Sequence, residues 1–122
     1  MSAPTEQQLE ALKRLWVIAQ RDTGQARVVF RFLVGLYNGP RFPFDLTDLR
    51  LLDDAILNDV MAVLWMDSRP QSEVHELLNR ALGRRDVGQW MELHAYEWRL
   101  KNRCAKAYYL ELCAELRGGS KA

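Results

Sequence analysis

Cysteine is scarce in this sequence: Cys104 and Cys113 are the two it has. Two cysteines do not make a disulfide framework. A chain of 122 residues does not need one, because it can bury about two thirds of the surface its unfolded form exposes. On one helix Cys104 and Cys113 would stand about half a revolution out of phase, so they would not pair with each other. They read as small thiols in or near a core. Excess charge of either sign is missing too. Seventeen basic and sixteen acidic residues leave a net charge of +1, so overall electrostatics select neither a nucleic acid nor an anionic membrane. No apolar run approaches the ~18 residues of a membrane span, so no transmembrane helix is expected, and no membrane partner. No basic leader followed by an apolar run opens the sequence, and the expectation is a cytoplasmic protein. The two-residue alternation of strands is absent as well. Nor is there a G-x-S-x-G elbow, a Walker loop, a dinucleotide fingerprint or a paired-acid signature, so no enzyme is expected and no cofactor.

What is present is a pattern of helices. Apolar residues make up 48% of the chain, with four each of Trp, Tyr and Phe. That is enough for a packed core and argues against disorder. Thr5 and Gln8 have capping-box spacing, and Leu9, Leu12, Leu15, Trp16 and Ala19 follow at threes and fours. Asp22 or Thr23 can cap a second helix over about Gly24–Tyr37, with Val28, Val29, Phe32, Leu33 and Leu36 inward. A Pro/Phe-rich loop at 38–45 then breaks the pattern, since Pro40 and Pro43 cannot lie inside a helix. Phe42 and Phe44 should plug the core there. Asp45 is placed as the next N-cap, with Phe44 and Leu49 as a hydrophobic staple.

From Leu46 to Met66 the pattern fits one helix with a soft point at Asp53-Asp54, or two. Ile56, Leu57, Val60, Val63 and Leu64 form its core stripe. Met61 and Trp65 widen that stripe, which makes this segment the candidate central helix. Pro70 is expected at the first position of the next helix, with Val74, Leu77, Leu78 and Ala81 inward and Gly83 at its end. Asp86 and Gln89 again have capping-box spacing. From there to Arg117 a long C-terminal helix is expected, bent near Asn102. The fold class is therefore all-α, a compact bundle of about five helices. Residues 1–117 form a single helical domain and 118–122 a flexible tail.

On that long helix Trp90, Met91, Trp98, Ala105, Tyr108, Tyr109, Leu112 and Leu116 fall within about one third of the circle. Arg99, Arg103, Lys106 and Arg117 fall opposite, with Arg84 and Arg85 just upstream. This basic stripe is the candidate nucleic-acid or partner contact, because phosphate contacts need clustered cations. His94, Trp98, Lys101, Tyr108 and Tyr109 are the candidate dimer surface, on the expectation that a helix this long outruns a small bundle. The histidines and cysteines, His75, His94, Cys104 and Cys113, lack zinc-site spacing, so no metal is expected. Asp45, Asp48, Asp53, Asp54, Asp59 and Asp67 are read chiefly as helix caps and solvated carboxylates.

Two stretches carry a resemblance. One is Ile18-Ala19-Gln20-Arg21-Asp22-Thr23-Gly24-Gln25, continuing through Phe32-Leu33 and Leu36-Tyr37-Asn38. The other is Phe44-Asp45-Leu46-Thr47-Asp48-Leu49 with Leu52-Asp53. Over about residues 9 to 90 the chain resembles a family of small uncharacterised proteins carried by bacterial plasmids and integrative elements, a domain of unknown function. The end from Lys101 departs from that pattern and reads as an extension. The resemblance implies an accessory protein of a mobile genetic element and attaches no catalytic residue. Together these readings give a non-enzymatic helical protein–protein interaction module, an inhibitor of a host defence complex in the manner of anti-CRISPR proteins, with a protein partner and a homodimer expected. The alternative is a nucleic-acid-binding protein that uses the basic stripe.

Overall fold

The computed structural model describes residues 3–98 and 106–118. Among these the regular structure is entirely helical. The helices are α1 (Glu6–Ala19), α2 (Gly24–Tyr37), a 3₁₀ helix (Leu46–Leu51), α3 (Asp54–Asp67), α4 (Val74–Leu82), α5 (Val87–Glu97) and α6 (Lys106–Arg117). Local hydrogen bonding sets several of the starts. Thr5 and Gln8 close a reciprocal capping box on α1. Thr23 accepts from the Ala26 N–H at the head of α2. Asp45 caps the 3₁₀ helix by accepting from the Thr47 N–H. Each satisfies donors that have no partner inside the helix. Gly83 ends α4 at φ +66°, a conformation that costs a side chain little only if it is glycine.

Two expected starts differ. Pro70 lies in the loop before α4, whose N-cap is Glu73; the Glu73 N–H donates to Glu76 instead. Asp86 does precede α5, but it forms no capping box with Gln89. Its carboxylate accepts from the Arg84 guanidinium and the Trp90 indole, and Asn79 takes the Val87 N–H. The segment from Leu46 to Met66 is two elements, because Leu52 and Asp53 are extended.

α2 is the central helix. Val28, Val29, Phe30, Phe32, Leu33 and Val34 are all buried, so its apolar surface runs most of the way round. It packs against α1, α4, α5 and the 3₁₀ helix. The loop at 38–45 returns along it: Phe42 is buried, and the Phe44 ring meets Phe32 edge-on. The expectation that the third segment is central is corrected. α3 lies against α1 and buries Val60, Val63 and Met66, while Met61, Leu64 and Trp65 point to solvent.

The single long C-terminal helix is also corrected. α5 stops at Glu97, with Trp98 in a turn conformation. On a continuous helix Glu97 and Arg117 would be about 30 Å apart. Instead the Arg117 guanidinium grips the Glu97 carboxylate at 2.8 and 3.2 Å. α6 therefore folds back on α5, and the bend expected near Asn102 lies outside the described residues.

Candidate interaction surface

Plotted at 100° per residue, Asp54, Leu57, Asn58, Met61, Leu64 and Trp65 share about 120° of the α3 surface. Trp65 is 74% exposed, Met61 49% and Leu64 37%. The other side of the helix is fixed in place. Val60 and Val63 enter the core, and Arg14 of α1 holds Asp59 through two hydrogen bonds of 2.9 Å. α3 thus carries two apolar stripes, one covered by α1 and one open. A scattered exposed apolar residue is ordinary; here three large ones are contiguous on one helix face. Leu51, just before α3, is also exposed. Sequence reasoning assigned Met61, Leu64 and Trp65 to the core. The signal that separates them is that α3 is apolar over too wide an arc for one neighbouring helix to cover.

The residues expected on the last helix are placed otherwise. The apolar face of α5 turns inward. His94 is stacked on Trp98 with ring centroids 4.9 Å apart and lies beside Trp90, while Phe30 of α2 meets Trp98 edge-on. Arg27 covers Trp98, its guanidinium carbon 3.9 Å from the ring centroid, and Arg117 approaches Trp90. Tyr109 is half-buried, stacked on Tyr96 and donating to Glu97. Tyr108 faces outward at the start of α6. Of the candidate dimer surface, His94, Trp98 and Tyr109 are engaged within the chain and Tyr108 is exposed; Lys101 lies outside the described residues.

Four residues of the basic stripe, Arg84, Arg85, Lys106 and Arg117, are among the described residues. Arg117 belongs to Glu97 and Arg84 to Asp86. Arg85 and Lys106 are exposed on separate elements. Arg99 and Arg103 lie outside the described residues, as does Cys104. Burial pushes the Glu97 carboxyl up, but the hydrogen bonds from Arg117 and Tyr109 outweigh it and hold Glu97 below the ordinary range. Burial holds His94 below the usual histidine range, against the pull of Glu97. Its Nδ1 stands 3.5 Å from Glu97 Oε1, too far for a good hydrogen bond, and has no other partner among the described residues.

A second polar group was not foreseen. Glu92, 2% exposed, accepts two hydrogen bonds from Arg41 at 2.6 and 2.7 Å and one from the Tyr37 hydroxyl at 2.7 Å. Burial and the Glu92 carboxylate raise the Tyr37 phenol above its ordinary range. The arrangement ties the 38–45 loop and α2 to α5. It is a partly buried ion pair in which both Glu92 carboxylate oxygens are hydrogen-bonded. His75 packs edge-on to Tyr37, and a Cβ at Gly88 would come within 3.3 Å of the His75 ring. Among the described residues no three His, Cys, Asp or Glu side chains are placed to share a metal ion. No described helix is long and apolar enough to cross a membrane.

A family model of unknown function, DUF7673, matches residues 9–99. The chain belongs to that family. No curated protein and no solved structure matches it. The matched span holds most of α1, all of α2 to α5 and the open face of α3; α6 lies beyond it.

Proposed function

We propose that this DUF7673 protein is a non-enzymatic protein-binding module whose docking surface is the open face of α3. The observation that carries the reading is the exposure of Trp65, Met61 and Leu64 on one helix face whose back is locked to α1. Interfaces are built around aromatic and methionine anchors of this kind, with polar residues at the rim. Asp54 and Asn58 supply such a rim here. The resemblance to proteins of plasmids and integrative elements supports a setting as a cytoplasmic accessory protein of a mobile element. In that setting the module acts by occupying a host complex, as an anti-CRISPR protein does. The nucleic-acid reading has less behind it, because Arg84 and Arg117 already serve Asp86 and Glu97.

The test is affinity capture from the native host with wild-type and Trp65→Asp baits, each checked for helicity by circular dichroism. The expected result is a protein retained by the wild type and lost by the variant. If every captured protein is held equally by both baits, the α3 face is not the docking surface.

A further inference from the structure

The open face of α3 has a symmetry that points to one occupant. Trp65 and Leu57 lie four residues to either side of Met61, one turn up and one turn down the helix. Asp54, the first residue of α3, is exposed at one end of this face. Arg69 is exposed at the other, where a shallow hollow lined by Ala3, Gln8, Trp65, Met66 and Arg69 sets it beside Trp65. The face is therefore acidic at its N-terminal end, apolar in the middle and basic at its C-terminal end.

Resting on the reading of this face as a docking surface, we propose that in the free protein it is covered reversibly by a second copy of the chain, which a host partner would displace. The two α3 helices lie antiparallel across a two-fold axis near Met61. The two-fold at Met61 sets Trp65 of one copy on the partner's Leu57. It also sets Asp54 of one copy opposite the partner's Ser68, one residue from the partner's Arg69, twice over by symmetry. A parallel pair would oppose Asp54 to Asp54 and Arg69 to Arg69, and would align the two helix dipoles unfavourably. An isologous contact needs such self-complementarity, and only the antiparallel arrangement provides it.

The area sets the strength. Trp65, Met61 and Leu64 expose together on the order of 350 Å² of side chain, so two copies with their polar rims bury roughly 1,000 Å². That is the low end for a specific interface, and the dimer is reversible, dissociating at roughly micromolar to tens of micromolar concentration. The aromatic face of α5 does not compete for this role, because α6 and α2 already cover it.

Sedimentation velocity of the full chain, from about 1 to about 200 µM at roughly 50 mM salt, reads the equilibrium while screening is weak. The wild type is expected to pass from monomer to dimer across that range. Trp65→Asp, and the milder Trp65→Ala in case the first perturbs folding, are expected to weaken the dimer at least about ten-fold. Asp54→Arg and Arg69→Asp are each expected to weaken it about five-fold, and the two together to recover the wild-type constant within about two-fold. A wild type that stays monomeric throughout overturns the proposal. So does a dimer indifferent to Trp65→Ala, or a charge swap that fails to rescue. The same monomer, if it still captures a different protein through Trp65, leaves the docking-surface reading standing, so the two failures are told apart.

Discussion

Asp67 shows how much one carboxylate can depend on where its helix ends. It is the last residue of α3, where the negative end of the helix dipole disfavours a carboxylate. Burial, with Glu73 nearby, pushes its carboxyl up to about 6. The folded pKa is thus above the unfolded value of about 3.9. The fold binds the proton more tightly than the unfolded chain does, so the ionised form is a penalty above pH 6 that is relieved as pH falls toward 4. Asp67→Asn removes the penalty. It is expected to stabilise the protein by about 1 kcal/mol at pH 7, after discounting for the half-exposed position, which raises Tm by roughly 4 °C. By pH 4 the difference from wild type should have largely gone. Thermal unfolding of both proteins at pH 7, 5.5 and 4 checks this, and an advantage unchanged across the series contradicts it. The sequence placed an acid at this position but could not supply Glu73 as its neighbour.

α6 is the element most lightly held. Of its residues Leu112 alone is fully buried, with Tyr109, Cys113 and Leu116 half-covered. Its polar anchors converge on Glu97. Leu112→Ala is expected to cost about 2–3 kcal/mol locally. Hydrogen exchange should then show the amides of residues 106–117 losing protection while those of α1 and α2 keep theirs. Equal loss in α2 would mean that α6 and the rest unfold as one unit. The periodicity of residues 86–117 was legible, and both helices lie where it put helix. The reversal was not, because no proline or capping box marks it. What enforces it is the contact between Tyr109 and Tyr96 and between Arg117 and Glu97, which spacing along one helix cannot reveal.

At the scale of the whole molecule, among the described helices α2 buries the most residues, seven, while α3 lies to the outside and buries three. Leu33 is 0% exposed on α2, and Leu64 is 37% exposed on α3. Leu33→Ala should therefore cost about 3–4 kcal/mol and Leu64→Ala no more than about 0.5–1 kcal/mol in urea unfolding. Comparable losses would return α3 to the centre. The all-helical class, the caps at Thr5, Thr23 and Asp45, the stop at Gly83 and the inward stripes of α1 and α2 were determined by the sequence itself. Each rests on a hydrogen bond or a periodicity spanning only a few residues, so the local order of residue types suffices. The tertiary structure alone decided which apolar stripe of α3 stays open, that Arg41 and Glu92 meet, and that α6 covers the aromatic face of α5. Those outcomes depend on which helix arrives at which face. An apolar stripe records only that it can be buried, and says nothing about which surface comes to cover it.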